Sequence, residues 1–401
     1  MSTERRFLRG ALFGRGLLAM VLPAALASVD AAELKITAEF RPSALNPGHN
    51  RFVNTTPQSG YCAQHSNFCR VGDFTIDTGL NVAQRRLYGG GEDPREKWYL
   101  SVDGKWREVI VRNASNHELK ARLRVFLVGM QWGLPSDGTA PGANGAATGG
   151  CRGRIGVGSG AWYRYAWDVP EGTPVCVRNP RATTDQVARY LNFSIGYHLE
   201  TPNPLQAQDG RYTGSVTYTV GNGQQIDLGQ GDYSDSELTL QLLLDVVHDF
   251  QVRFSSEFPV VQLAPEGGWV QWIDHGLPPS CLRQELPFHL TTSMEFSMKL
   301  RCEHDVADRC GLQNAVNDEV VPVDVDVTIP GMSNVRDGRP AQNTALLPDD
   351  ARAPRFTPDG YLMQRRSALR FTAGREAVTE MLKSPGSHWQ GNMTVVFDAD
   401  P

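Results

Sequence analysis

Residues 386–401 read GSHWQGNMTVVFDADP, and how that stretch is taken decides the fold. Side chains of an extended chain alternate between two faces. Trp389, Gly391, Met393, Val395 and Phe397 then share one face, and Asn392, Thr394, Val396 and Asp398 the other. Chain ends fray and turn polar unless something ties them down. An apolar strand in this place is therefore expected to pair with a partner. The same grammar occurs earlier, in GRYTGSVTYTV (210–220): Tyr212, Gly214, Val216 and Thr217 align with Trp389, Gly391, Met393 and Thr394 at an offset of 177. Just upstream, LNFSIG (191–196) aligns with LRFTAG (369–374) at an offset of 178. Two blocks in the same order, with a single one-residue gap between them, indicate duplicated domain ends.

The rest of the chain agrees with strands. ELKITAEF, REVIVRN, ARLRVFLVG, GSVTYTV and VPVDVDVTI alternate between turn residues, and 40 Gly and 25 Pro supply many turns. LTLQLLLDVVHDFQVRF is rich in apolar residues but is bounded by turn signals and reads as strands; TTDQVARYL and GREAVTEML are the short helix candidates. The expected fold class is all-β, with two tandem β-sandwiches. The first spans 32–221, the polar stretch 222–237 (within GNGQQIDLGQGDYSDSE) is read as a linker, and the second spans 238–401.

The N-terminus reads as a secretory signal peptide over residues 1–31. Arg5, Arg6, Arg9 and Arg15 precede the apolar run GLLAMVLPAALASV and two small-residue cleavage signals ending at Ala27 and Ala31. The twin-arginine spacer is missing, so the general secretory route is expected. No other stretch is long and apolar enough to cross a bilayer. The formal charge of −5 becomes −7 once Glu4, Asp30 and the four arginines are removed. An acidic chain argues against a nucleic-acid or anionic-membrane partner. In an oxidising compartment the seven cysteines read as disulfides, paired as neighbours: Cys62 with Cys69, Cys151 with Cys176 and Cys302 with Cys310, leaving Cys281. Spacing leaves the connectivity open. The rival reading, metal binding, lacks the paired CxxC motifs that tetrahedral sites use.

The segment YLMQRRSALRFTAGREAVTEMLKSPGSHWQGNMTVVFDADP (361–401) resembles the end of bacterial chaperone–usher pilus subunits. The resemblance extends more weakly to GGWVQWI (267–273) and RCEHDVADRCGLQN (301–314). Those subunits are immunoglobulin-like sandwiches that lack their last strand, which a periplasmic chaperone and then a neighbouring subunit supply at the outer-membrane usher. The physics is β-augmentation, in which main-chain hydrogen bonds give affinity and alternate side-chain pockets give specificity. The resemblance implies that Trp389, Gly391, Met393, Val395 and Phe397 form the strand-exchange edge of a pilin-like second domain. It also implies a periplasmic pilus chaperone, an outer-membrane usher and a neighbouring pilin as partners. The location it implies is a fimbrium, reached through the periplasm and displayed at the cell surface. Two features depart from the usual pattern: Phe397 lies four residues from the end, and the chain enters ELKITAEF directly after the expected cleavage site. The second favours a tip position.

No catalytic constellation is legible. GVGSGAW (156–162) lacks the spacing of a nucleophile elbow. The ten glycines between Gly133 and Gly160 read as a flexible surface loop, with no following Lys-Ser/Thr to make a phosphate cradle. His248-Asp249 and Asp274-His275 read as surface or strand-edge residues, VDVDVT (323–328) as a strand with one wet face, and Trp269 and Trp272 as core and domain-packing residues. No metal or cofactor is expected. The binding candidate is AWYRYAWD (161–168), where Trp162, Arg164 and Asp168 share a face of the kind a host or surface glycan uses. The bland reading is that one aromatic face is core and the other rim. The function expected is a minor or tip subunit of a chaperone–usher fimbrium that mediates adhesion and is not an enzyme. The rivals are an assembly-initiating adaptor that binds no ligand, and a secreted β-sandwich carbohydrate-active enzyme, for which paired carboxylates are not identifiable.

Overall fold

Leu238, Leu240, Leu242, Leu244 and Val246 alternate along Glu237–Val246, and all five are at most 2% exposed. Their burial gives this strand its place. It runs antiparallel to Gly210–Thr219 on one side, from Gly210↔Val246 to Thr219↔Glu237, and parallel to Ala32–Phe40 on the other. Each such side chain contributes about 1.5–3 kcal/mol when fully withdrawn from water. Residues 238–246, placed by the sequence reading at the start of the second sandwich, thus belong to the first sheet.

The computed structural model describes residues 32–48, 50–134, 142–154, 157–159, 162–181, 184–257 and 259–399. The first sheet runs from Val82–Leu87 through Gln186–Glu200, Glu118–Gly133, Arg107–Arg112, Gly210–Thr219 and Glu237–Val246 to Ala32–Phe40. A smaller layer contains Trp98–Val102 and Val175–Pro180. Trp98 stacks on Trp132 at 4.2 Å in the core between them. A second, separate core lies between two further sheets. One orders Phe250–Phe254, Leu282–Thr292, Leu362–Ala373, Val320–Thr328 and Arg309–Asn314; the other orders Met332–Asn334, Arg355–Pro358, Phe296–Cys302 and Met393–Asp398. The fold is all-β, as the alternating patterns indicate.

The stretch read as a linker is ordered by a buried carboxylate. Asp227 is 1% exposed and accepts from the amides of Gly223 and Gly229 and from Arg95 Nε at 3.0 Å. Burial next to Asp227 pushes the Tyr233 phenol up. Beside it the fully buried Arg85 donates to the carbonyls of Leu228, Arg95 and Lys97 and lies over the Tyr190 ring. Buried charge is tolerated only where hydrogen bonds replace water, and here they fasten residues 223–229 into the first sandwich. The Gly/Asp/Ser composition that looks like a linker is the chemistry of these tight turns.

Other expectations resolve through packing. TTDQVARYL joins the strand Gln186–Glu200 and buries Ala188 and Tyr190, whereas GREAVTEML forms the helix Arg375–Met381 over Ala377 and Val378. Trp269 and Trp272 are not core: they flank and occupy the short helix Val270–His275 and are 40% and 37% exposed, because neither hydrophobic core reaches them. The glycine-rich stretch is partly pinned: Ala143–Asn144 and Arg152–Gly153 pair with neighbouring strands, and a Cβ on Gly149 would sit 2.0 Å from the Val175 carbonyl oxygen. His248 is buried at the joint between the cores instead of lying on the surface. Its Nε2–H donates to the Ala207 carbonyl and its Nδ1 accepts from Ser293 Oγ, while Tyr361 donates to Asp249 at 2.7 Å. The bridges are Cys62–Cys69, Cys151–Cys176 and Cys302–Cys310, and Cys281 is free.

This pairing predicts where the chain can be divided. A fragment of residues 32–247 should express as a soluble, cooperatively melting β protein. A fragment of 32–221 should aggregate, since it exposes the slot that Glu237–Val246 fills. Leu242→Ala in the longer fragment should lower its stability by about 2–5 kcal/mol in urea unfolding. Soluble, folded 32–221 would refute the assignment.

Candidate functional site: an unfilled strand slot and an aromatic face

The terminal strand is interrupted. Trp389–Gln390 pairs with Arg309–Asn314 in one sheet, and Met393–Asp398 pairs with Phe296–Cys302 in the other. Gly391 sits where the chain crosses between them; a Cβ there would lie 2.6 Å from the Gly311 carbonyl oxygen. Asn392 is held by Glu303 Oε2, which accepts from both its backbone and side-chain nitrogens. The Cys302–Cys310 bridge joins the same two sheets next to this crossing.

The face expected from parity survives the break. Trp389, Met393, Val395 and Phe397 pack against the second core, yet all four remain half-buried, while Thr394 is exposed. Among the described residues Met393–Asp398 has a strand on one side only, Phe296–Cys302. Phe250–Phe254, at the edge of the opposing sheet, likewise pairs with Leu282–Thr292 alone. Between these two edges lies the buried ring of Phe288, with Phe254 centred 5.5 Å away on one side and Phe397 5.8 Å away on the other. Phe250, Val252, Phe254, Val261 and Leu263 make the second rim and are also half-buried. The sequence reading missed this rim, although the alternation Phe250, Val252, Phe254 was its signal. The first sandwich offers the internal control. There the strand aligned with the terminus, Gly210–Thr219, is paired along its whole length by Glu237–Val246, and Tyr212 is fully buried. An apolar groove between two unpaired edges is a template for an added strand.

The candidate Trp162, Arg164 and Asp168 do not form one site. The strand Trp162–Asp168 pairs with Glu118–Gly133, and its other face, with Tyr165 and Trp167, is core. Arg164 lies 5.1 Å from the Trp162 ring and donates to Gln131 Oε1, beside His65. Burial, then the charge of Arg164, holds the His65 imidazole below its usual pKa. The recess against Arg164 and His65 is about 10 Å³, room for little more than one water. Asp168 stands four residues further on, roughly 13 Å along the strand from Arg164. Between them the disulfide-closed segment Cys62–Cys69 covers Ala166, packing Tyr61 and Cys62 against it. Asp168 instead accepts from Arg154 at 2.6 Å, and Arg154 reaches Asp73 at the same distance. The sequence pattern is right about the face; the covering loop divides it.

No protein-family model matches the chain, and no curated protein matches it. Among solved structures, a chain of the CsuC–CsuE chaperone–tip adhesion subunit pre-assembly complex, from the archaic chaperone-usher Csu pili of Acinetobacter baumannii, is similar at 10% identity and a TM-score of 0.21. The match covers 92% of this chain and 98% of that one. That superposition is too loose to carry an argument.

The ion network gives a sharp expectation. Arg154→Ala should destabilise residues 32–401 by about 3–5 kcal/mol, because Asp73 would lose the charge that compensates its burial and Asp168 would keep only the exposed Arg70. Arg164→Ala should stay within about 0.5 kcal/mol. Urea titrations followed by tryptophan fluorescence distinguish the two; equal effects would contradict the division of roles.

Proposed function

We propose that the chain is a minor or tip subunit of a chaperone–usher fimbrium, and that its second sandwich is completed by a strand from another molecule. The observation that carries this reading is the contrast between the two sandwiches: the strand Glu237–Val246 fills the slot beside Gly210–Thr219, and no described strand fills the slot beside Met393–Asp398. The incoming strand would present alternate apolar side chains over Phe288 and hydrogen-bond along the outer edge of residues 393–397. Among the described residues, fifteen half-buried apolar residues fringe a second core of 22 buried ones, against nine around 41 in the first, so the larger share of unmet burial lies in the second sandwich. A periplasmic chaperone would hold the slot first. A neighbouring pilin subunit would then replace it at the outer-membrane usher, carrying the chain to the cell surface.

On this reading the modules divide near residues 247–249, where His248 joins two cores that are already separate. The first sandwich, complete in itself, would face outward and mediate adhesion. An adaptor without a ligand remains the second reading, favoured by the small recess at Arg164.

The test is complementation in cis. Residues 248–401 alone should aggregate. The same segment followed by a Gly-rich linker and a ten-residue alternating strand patterned on 237–246 should be soluble and monomeric. In that fused form Val395→Asp or Phe397→Asp should each cost at least about 1.5–3 kcal/mol, and Thr394→Asp much less. If the unfused segment is monomeric, stable and indifferent to Phe397→Asp, the sandwich is already complete and the proposal fails.

A further inference from the structure

The ladder along Gln186–Glu200 is incomplete. Beyond Gly196, which pairs with Thr75, residues Tyr197–Glu200 are paired only on the side of Arg122–Val125. Phe52–Asn54 and Gly72–Phe74 come up to the other side without continuing the sheet, and a cleft of about 470 Å³ opens there. That volume falls within the roughly 300–1,000 Å³ typical of small-molecule sites. Four aromatic side chains line it: Phe52, Phe74, Trp106 and His198. His198 stacks on Phe126 at 3.9 Å and lies 6.4 Å from Trp106, and Arg122 backs Trp106 at 5.0 Å. Asn54, Glu200 and Thr201 bring amide, carboxylate and hydroxyl groups among the rings. Asn54 is set in place by Tyr197 Oη at 2.9 Å and by the Thr56 amide at 3.0 Å, and Tyr197 Oη also meets the buried Thr56 hydroxyl. The cleft is therefore built before any ligand arrives.

Its charge narrows the ligand. Glu200 is countered by Arg122 at 3.1 Å, and burial, then the charge of Arg124, holds the His198 imidazole below its usual pKa. An ionic ligand finds no uncompensated opposite charge among these groups. A wholly apolar one would bury Asn54 and Glu200 without replacing their water, which is costly. A pyranose satisfies both demands, since its C–H faces pack on aromatic rings and its hydroxyls exchange hydrogen bonds with amide and carboxylate groups. We propose that this cleft, formed by Phe52, Phe74, Trp106, His198, Asn54 and Glu200, binds a neutral saccharide. It is separate from the Trp162–Arg164 face. It also lies wholly within the first sandwich, so it stands or falls independently of strand capture by the second.

The test titrates the full mature chain, residues 32–401, with cellotriose, maltotriose, mannotriose and lacto-N-tetraose up to about 10 mM. Tryptophan fluorescence and saturation-transfer NMR are the readouts. At least one trisaccharide or tetrasaccharide should bind, with saturation transfer strongest to ring C–H protons. Trp106→Ala should weaken that binding at least about tenfold, Glu200→Gln should weaken it several-fold without unfolding the chain, and Arg164→Ala should leave it unchanged. Should Trp106→Ala melt early, Glu200→Gln alone decides. Binding by none of the four sugars, or binding that Glu200→Gln leaves intact, overturns the proposal.

Discussion

Everything in the second sandwich depends on a strand edge that its described residues leave open. A β-strand satisfies its backbone on two sides, and a sandwich covers its core only when both sheets reach their full width. Among the described residues no strand pairs with residues 393–397 on their outer side, and Met393, Val395, Phe397 and Phe254, which surround the buried Phe288, stay half in water. The first sandwich shows the satisfied version of the same arrangement, where five alternating aliphatic side chains of Glu237–Val246 lie at most 2% exposed. At the two aligned strands the halves thus differ in one respect: a described strand lies beside Gly210–Thr219, and none lies on the outer side of residues 393–397.

Polar groups hold the first sandwich in a different way. Asp227, Arg85 and Arg154 are withdrawn from water, and each is met by several hydrogen bonds to backbone or opposite charge. Such groups add little net stability when satisfied and cost several kcal/mol when one partner is lost. Their effect here is positional. Asp227 and Arg85 fix the polar stretch ahead of the slot-filling strand, and Arg154 ties the Asp73 loop to the end of the Trp162–Asp168 strand. His248 does the same between the cores, with one nitrogen committed to each side.

Period-2 alternation made the strands, and hence the all-β class, legible, because a half-buried sheet imposes it residue by residue. It gave the correct face of the terminal strand and of the Trp162–Asp168 strand. It misplaced residues 238–246, since one strand looks like another until its partners are known. Nor does alternation reveal that Gly391 carries the chain from one sheet to the other, or that the loop closed by Cys62 and Cys69 covers Ala166 and parts Arg164 from Asp168. The cleft at Trp106 was illegible for a related reason: its rings come from four separated segments, and its opening is a ladder that stops early.

By itself, then, the sequence determined most of the strands, their buried faces and the cysteine neighbours, because each is a local pattern or a short spacing. Tertiary structure decided which strand fills which slot, that the polar stretch before Glu237 is part of a core, and which aromatic rings stand together. Those are relations between residues far apart in the chain. They are settled by competition for the same apolar surface and the same backbone hydrogen bonds, and no local pattern records who wins it.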